Sequence, residues 1–186
     1  MENNFQMVAK TLFGFEDLLE KELTQLGGQR VKKGVRNVTF YGDTGFMYKC
    51  NLALRTAIKI LKPIASFKVI NEKDLYDKIY NIEWENYIDH TGTIAINSTV
   101  HSNVFTHSQY ISLKAKDAIV DRIRSISGER PSVDLKFPDL KINIHIDKIF
   151  CNVSLDSSGE SLHKRGYKTA TNIAPINEVL AAGLIM

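Results

Sequence analysis

Basic side chains gather in three separate stretches of the sequence, and phosphate binding is the chemistry that such stretches offer. Lysine and arginine contact nucleic-acid phosphates and fix position without reading much base sequence. If the three stretches share one face of the folded chain, they form a phosphate track. Their members are Arg30, Lys32, Lys33 and Arg36; Lys114, Lys116, Arg122, Arg124 and Arg130; and His163, Lys164, Arg165 and Lys168.

The segment before the second basic stretch has the residue types of an anion site at a helix start. Ser108 begins a run with helical apolar spacing, and the unpaired backbone N–H groups of a first helical turn attract phosphate. Asn103 and His107 lie beside that start, together with Ser108, so a phosphate can bind there, and His101 precedes the same loop. The alternative is a helix start that Ser102 or Ser108 caps and that faces water.

Three cations on the helix after Ser108 differ in their expected surroundings. Lys114 falls on a charge-balanced outer arc, where pairing with Asp117 in solvent is the simplest outcome. Lys116 and Arg122 fall at the margin of the apolar arc, so they either extend from the edge of the core or reach a ligand beside it. All three remain candidates for contact with a ligand.

Motifs for catalysis and for metal binding are missing from the sequence. It contains no Gly-x-Gly-x-x-Gly, no P-loop, no His-Glu-x-x-His and no Gly-x-Ser-x-Gly. His101 and His107 are not spaced like helical metal ligands, and no cysteine lies near them, so no metal site is expected. No residue is a candidate for catalysis.

Composition bounds the class of protein. The sequence has 186 residues, of which 44% are hydrophobic and 24% charged, which is ordinary for a globular chain with a core. A formal net charge of +3 is too small for a purely electrostatic nucleic-acid binder, so the distribution of charge must matter. Two distant cysteines, no signal peptide and no membrane span predict a cytoplasmic protein with reduced thiols.

The first third of the sequence predicts a small α/β unit. A strand over residues 6–12 precedes a helix from Phe15 to Leu26, which Gly27 ends. Residues 30–41 predict a hairpin, and Asp43 is the expected cap of a second helix that runs to Leu61 and is closed by Pro63. This order fits a ferredoxin-like sandwich.

The next part of the sequence predicts a second α/β unit. Strands are expected over residues 65–69 and 93–101, and a helix is expected from the cap Asn71 to Tyr80. A long helix should run from Ser108 to Ser127, with Ile126 on its inner face. A final hairpin over residues 141–155 should turn at Asp147 and Lys148.

The C-terminal residues predict a connector followed by a helix. Pro175 is a favourable first helical residue, and the run Val179 to Ile185 is apolar on nearly every side. Such a helix is normally buried on several faces, so we expect this sequence to be the front part of a longer protein. Tyr167 is expected either to pack on the following domain or to stack on a base.

Three runs resemble bacterial 23S rRNA guanine-N2 methyltransferases. The most specific begins Ser158-Gly-Glu-Ser-Leu-His-Lys-Arg-Gly-Tyr167 and continues with Ala174-Pro-Ile-Asn-Glu-Val-Leu-Ala-Ala182. It is similar to the family's junction between an N-terminal RNA-binding part, which contains a THUMP domain, and a Rossmann-like methyltransferase domain. Asn51–Leu61 resembles the helix that enters the THUMP part, and Ser112–Asp121 resembles its lysine-bearing helix.

The resemblance implies an α+β chain in three parts. These are a ferredoxin-like subdomain over 1–62, a THUMP RNA-binding domain over 63–156, and a connector over 157–186 that ends in the first helix of an absent Rossmann-like domain. The implied partners are structured RNA, above all 23S rRNA, and the chain's own methyltransferase domain. The methyl donor, S-adenosylmethionine, and the catalytic residues would belong to that absent domain, so this chain alone should be inactive. The expected RNA-binding residues are Lys32, Lys33, Arg36, His101, Asn103, His107, Ser108, Lys114, Lys116, Arg122, Lys164 and Arg165.

Three alternatives stay open at this point. The THUMP domain can belong to an enzyme that modifies transfer RNA, for example by thiolation. The chain can instead be a ferredoxin-like protein-interaction module whose basic residues only keep it in solution. Lys164 and Arg165 can lie in a solvated connector that touches the next domain and no RNA.

Overall fold

The computed structural model describes residues 4–166 and 175–186, so Tyr167 and Lys168 lie outside the described residues. The chain divides into two compact units: unit 1 comprises Met1–Lys62 and Ser157–Met186, and unit 2 comprises Pro63–Asp156. The described elements, in chain order, are β1 (Phe5–Lys10), α1 (Glu16–Leu26), β2 (Gln29–Lys33), β3 (Asn37–Gly42), α2 (Thr44–Ala53), β4 (Lys59–Lys68), α3 (Glu72–Tyr80), a 3-10 turn (Trp84–Asn86), β5 (Thr93–His101), α4 (Ser108–Ser127), β6 (Ser132–Val133), β7 (Leu140–Asp147), β8 (Phe150–Asp156) and α5 (Glu178–Ile185).

Unit 1 is built on antiparallel strands in the order β2, β3, β1 and the first part of β4. α1 buries Leu19 and Leu23 and ends at Gly27, which adopts the left-handed φ of 102° that favours glycine. α2 begins after Asp43, whose carboxylate accepts a hydrogen bond of 2.7 Å from the backbone N–H of Phe46. Both helix boundaries were predicted from these residues, and both are confirmed.

The predicted extension of α2 to Leu61 is wrong. The helix ends at Ala53, and Leu54 is already extended. Ile60 and Leu61 are buried on strand β4, where Leu61 lies opposite Val8 of β1. Spacing alone does not distinguish a buried strand from a buried helix in a short apolar run, and the partner strand that decided the outcome is about 50 residues away in the sequence.

Unit 2 has the strand order β4, β8, β7, β5, β6. β5 runs parallel to both β6 and β7, whereas β7 and β8 form an antiparallel hairpin. α3 begins after Asn71, which accepts from the backbone N–H of Asp74 at 2.8 Å, as predicted. α4 spans the predicted residues and ends at Gly128.

The core of unit 2 lies between its helices and strands. It is formed by Trp84, Ile111, Ile119 and Ile144 among others. Ile126, predicted to face inward, is 56% exposed because the last turn of α4 extends past the packed residues.

The hairpin turn of unit 2 lies one residue later than expected. Asp147 pairs with Phe150, so the turn consists of Lys148 and Ile149.

Candidate nucleic-acid interface

The β5–α4 loop, residues 102–107, lies where two parallel strands end. His101 closes β5 and lies opposite Asp147, the last residue of β7. The backbone N–H of Lys148 donates to the carbonyl of His101 at 2.7 Å. The turn after β7 and the loop after β5 are therefore held side by side at one edge of the sheet.

Ser102 fixes the conformation of the β5–α4 loop. Its hydroxyl donates to the carbonyl of Lys148 and accepts from the backbone N–H of Val104 at 3.1 Å. Phe105 anchors the middle of the loop, because its side chain is buried in the core of unit 2. A loop held at both points presents its remaining polar groups in a fixed arrangement.

The start of α4 opens into a cleft. His107 is the N-terminal cap residue, and its side chain makes no hydrogen bond to the helix. Ser102, the alternative cap, serves the loop instead. The cleft has a volume of about 690 Å³. N–H groups of an uncapped first turn are suited to a phosphate oxygen.

The residues that line this cleft are Val104 to Ile111, with Glu72 and Leu113. The Tyr110 hydroxyl donates to the Glu72 carboxylate at 2.7 Å, and this hydrogen bond raises the pKa of Tyr110. A carboxylate on the cleft lowers its affinity for anions, and the bond from Tyr110 offsets part of that effect. A phosphate is therefore best accommodated beside His107 and Ser108, where the helix presents its N–H groups.

Lys148 is a cation of this region that the sequence analysis missed. Its side chain is exposed in the β7–β8 turn, next to a second cleft of about 450 Å³ that His101, Ser102 and Asn103 also line. The turn itself was predicted, but its position beside the β5–α4 loop depends on the parallel pairing of β5 with β7. No local sequence signal reports that pairing.

Four predicted residues are brought together here. His101, Asn103, His107 and Ser108 all border the two clefts at the start of α4, and all four are exposed. The ring of His101 lies edge-on to His145, with 5.9 Å between centroids. We call these four residues and Lys148 the loop cluster.

The three predicted cations of α4 do not share a surface. Lys114 and Lys116 are two residues apart, which places them about 200° apart around a helix. Lys114 lies 5.4 Å from the ring centroid of Tyr76 on α3. Lys116 lies on the other flank, where it pairs with Asp117 at 2.6 Å and lines a cleft of about 370 Å³ with Ser98 and other residues.

Arg122 is engaged by a carboxylate of its own unit. Its guanidinium donates to both oxygens of Glu85, at 2.5 and 3.2 Å. This pairing holds the pKa of Glu85 below its ordinary value and raises that of Arg122. Arg122 is also 14 residues beyond Ser108, or about 21 Å along the helix. We therefore do not place it in the proposed interface.

The first basic stretch forms the β2–β3 hairpin of unit 1. Lys32 is exposed, whereas Lys33 forms ion pairs with Asp17 and, at 3.6 Å, with Glu20 of α1. These contacts hold the pKa of Lys33 above its ordinary value, and that of Asp17 below it. Arg36 lies in the turn of the hairpin with its side chain exposed.

Arg165 contacts its own unit through every guanidinium nitrogen. Nε, Nη1 and Nη2 donate to the backbone carbonyls of Leu162, Leu52 and Leu54, at 3.0, 2.7 and 2.5 Å. The side chain therefore ties the segment after β8 to the C-terminal end of α2, and we do not place it in the proposed interface. Lys164 is exposed and lies 3.8 Å from Glu160.

The described residues form neither a cluster of metal ligands nor a membrane-spanning helix. Within residues 4–166 and 175–186, no three His, Cys, Asp or Glu side chains lie close enough to hold a metal ion. No helix in that part of the chain has the length and apolar character that crossing a bilayer requires. Cys50 and Cys151 are buried, and burial raises the pKa of each thiol to about 12.

Two domain families match this chain. Residues 6–61 match the RlmL ferredoxin-like domain, and residues 69–156 match the THUMP domain. The first range falls within unit 1, and the second lies inside unit 2. These matches confirm the α+β fold class and both predicted domain types.

Relatives of known name are similar over most of the chain. A Synechocystis sp. protein named "Putative RNA methyltransferase slr0064" is 42% identical over 92% of this chain, which spans 45% of that protein. The ribosomal RNA large subunit methyltransferase K/L of Syntrophotalea carbinolica is 38% identical over 93% of the chain, which spans 24% of it. The chain thus covers less than half the length of either relative.

Among solved structures, SMU.472, a "putative methyltransferase" complexed with SAH, matches with a TM-score of 0.85. It is 30% identical, and the match covers 100% of this chain and 49% of that chain. The structural match extends over both units of this chain. The chain therefore combines an RlmL ferredoxin-like domain with a THUMP domain, in that order along the sequence.

Proposed function

We propose that this chain is the RNA-binding, substrate-positioning part of a ribosomal RNA guanine-N2 methyltransferase. The observation that carries the proposal is the uncapped start of α4, which lies beside exposed His101, Asn103 and Lys148 in the THUMP domain. The names of the relatives support an RNA substrate. The proposed partner is structured RNA, specifically 23S rRNA, in the cytoplasm.

The proposed role of the loop cluster is to hold the RNA backbone. Helix N–H groups and the Lys148 ammonium bind phosphate oxygens, which fixes the position of the RNA but reads little of its sequence. Lys32 of unit 1, and Lys114, Lys116 and Lys164, remain further proposed contacts. Phosphate contacts at fixed points suit recognition of a folded RNA by its shape.

Methyl transfer is proposed for the whole enzyme, and no step of it is assigned to residues of this chain. S-adenosylmethionine is the proposed donor, because an RNA methyltransferase needs one and a structural neighbour is complexed with SAH. The donor would supply the methyl group for the guanine amine. The sequence has no Gly-x-Gly-x-x-Gly loop for a nucleotide, so we propose that a further methyltransferase domain binds the donor.

We propose domain limits at 1–62, 63–156 and 157–186. The last range is proposed as the connector to that methyltransferase domain. In the structure its described residues group with unit 1, where the Ser157 backbone N–H donates to the carbonyl of Ile60 at 3.0 Å. The segment is thus anchored to the ferredoxin-like domain before it reaches α5.

The proposal is tested by fluorescence anisotropy with a labelled, structured fragment of 23S rRNA. Affinity should fall steeply between low and moderate salt, because phosphate binding releases counterions. Lys148→Gln should weaken binding several-fold and reduce the slope of log K against log salt by about one. The single variants Lys114→Gln and Lys116→Gln test the two flanks of α4 separately from the loop cluster.

Arg124→Gln is the matched control. Arg124 is an exposed cation of the same unit, in the last turn of α4. It lies 16 residues beyond Ser108, or about 24 Å along the helix. Equal losses for Arg124→Gln and Lys148→Gln would contradict a localised interface. RNA binding that is absent at low salt would favour the protein-interaction module instead.

A further inference from the structure

Phe13 is an exposed aromatic residue that the proposed phosphate contacts do not use. It lies in unit 1, on the loop between β1 and α1, and is 74% exposed. The guanidinium carbon of Arg36 lies 6.0 Å from the centroid of its ring. An exposed ring beside a cation offers a flat apolar face and a positive charge in one place.

The two segments that carry this pair are joined by the carboxylate of Glu16. One of its oxygens accepts from the backbone N–H of Arg36, and the other accepts from that of Gly14, both at 2.8 Å. The carbonyl of Arg36 accepts from the backbone N–H of Thr11 at 3.0 Å. The loop that carries Phe13 and the turn that carries Arg36 are therefore fixed against each other.

Arg36 adopts a left-handed backbone conformation, with φ of 56°, that residues other than glycine rarely take. A residue other than glycine pays a conformational cost there, and the bonds to Thr11 and Glu16 hold it in place. The arrangement of Phe13 and Arg36 is thus present before any ligand binds. Preorganised contacts lose less entropy on binding than mobile ones.

The positive charge of this surface comes from Arg36, whose guanidinium lies near the Phe13 ring, and from Lys32. The Glu16 carboxylate is engaged by backbone N–H groups, first that of Arg36, which lower its pKa. Asp17 is paired with Lys33. Lys32 is exposed on the adjacent strand β2. A ligand that carries both a flat ring and a negative charge fits this surface better than a cationic or purely aliphatic one.

We propose that Phe13 and Arg36 form a stacking platform for one unpaired nucleobase of the bound RNA. The base packs on the exposed ring of Phe13, and the Arg36 guanidinium contacts the neighbouring phosphate. The platform rests on the proposed RNA-binding function. It adds to that function a site in the ferredoxin-like domain that selects unpaired nucleotides over duplex.

The first test measures the affinity of the full chain for two matched RNAs, a blunt hairpin and the same hairpin with a single-stranded extension. Phe13→Ala should weaken binding of the extended RNA on the order of tenfold and leave the blunt hairpin nearly unchanged, because a lost stack affects only unpaired bases. Tyr48→Ala is the control, since Tyr48 is a 65% exposed aromatic of α2 in the same unit. It should change neither affinity.

The second test reports stacking directly. Phe13→Trp should retain affinity for the extended RNA, and its indole fluorescence should be quenched when that RNA binds. Trp84, the natural tryptophan, is buried and gives the background signal. Tyr48→Trp serves as the positional control. Arg36→Lys should bind less well than the wild type, because a lysine keeps the charge but loses the planar guanidinium.

The outcomes separate the platform from the proposed function. If the wild type binds RNA and responds to Lys148→Gln, but Phe13→Ala has no effect and Phe13→Trp is not quenched, the platform is refuted and the function stands. If the wild type binds no RNA, both proposals fail.

Discussion

Glu22 is a buried carboxylate whose removal should destabilise unit 1. It lies on α1 with a side chain only 5% exposed. One oxygen accepts from the backbone N–H and Nε of Arg55, at 3.2 and 3.0 Å, and the other accepts from the backbone N–H and hydroxyl of Thr56, at 3.0 and 2.5 Å. Glu22 thus accepts the hydrogen bonds of the donor groups in the turn between α2 and β4.

The expected loss of stability in Glu22→Ala follows from the solvent exposure of its two partners, Thr56 and Arg55. Thr56 is fully buried, so in Glu22→Ala its two donors lose an acceptor without gaining water, at about 1–3 kcal/mol each. The Arg55 side chain is 62% exposed and can be hydrated instead, so it adds little. We expect a loss of about 2–6 kcal/mol in the free energy of unfolding. Glu22→Gln should lose about half as much, since only one of its two groups can accept.

Urea unfolding followed by far-ultraviolet circular dichroism measures this loss. With a denaturant slope of about 1.5 kcal/mol per molar, the urea midpoint of unit 1 should fall by about 1–4 M. Trp84, the single tryptophan, belongs to the core of unit 2, so its fluorescence reports that unit. The tryptophan transition should move less than the dichroism transition.

Glu20→Ala is the matched control for Glu22→Ala. Glu20 lies two residues earlier on α1, and its carboxylate is 3.6 Å from the ammonium of Lys33 at the surface. Its removal should cost less than about 1 kcal/mol. An unchanged midpoint in Glu22→Ala, or an equal loss in both variants, would refute the assignment of stability to the buried hydrogen bonds.

Two further predictions concern stability. Arg165→Ala should lower the free energy of unfolding of unit 1 by about 1–3 kcal/mol, because three backbone carbonyls lose their hydrogen-bond donor. Lys164→Ala is the control and should change that free energy by less than about 0.5 kcal/mol. Urea titration of the two variants distinguishes these outcomes. Hydrogen bonds from the side chain and backbone of Thr93 lower the pKa of Asp139 from its ordinary 3.8. The ionised carboxylate therefore stabilises the fold at pH values above 3.8. This stabilisation is lost as pH falls through the lower pKa of the folded state. Urea midpoints measured from pH 5 downward should therefore fall less in Asp139→Asn than in the wild type, and parallel curves would contradict this.

Helix boundaries were predictable because their signals are local. Asp43 and Asn71 accept hydrogen bonds from backbone N–H groups three residues ahead, and Gly27 and Gly128 take the left-handed conformation that ends a helix. Each signal involves residues within one helical turn. The tertiary environment had no competing preference at these four points, so the local preferences determined the outcome.

Non-local pairing explains what the sequence did not predict. Ile60 and Leu61 became part of a strand because β1 was available as a neighbour. Lys148 reached the β5–α4 loop because β5 and β7 are parallel and end together. In both cases the deciding partner lies about 50 residues away in the sequence.

The partners of the charged residues could not be predicted from the sequence either. The sequence identified Arg122 and Arg165 as cations, but it did not show that Glu85 or the carbonyls at the end of α2 would engage them. Charge type is local, whereas the partner of a charge is decided by folding. The loop cluster was predictable in part because four of its five residues are close together in the sequence.

The discontinuity of unit 1 has a consequence for the order in which this protein folds during translation. Residues that complete unit 1, such as Ser157 beside Ile60 and Arg165 beside Leu54, leave the ribosome only after the whole of unit 2. Unit 2 is continuous and can fold as soon as it emerges. Unit 1, which includes the ferredoxin-like domain, can therefore make its last contacts only after the whole of unit 2 has been synthesised.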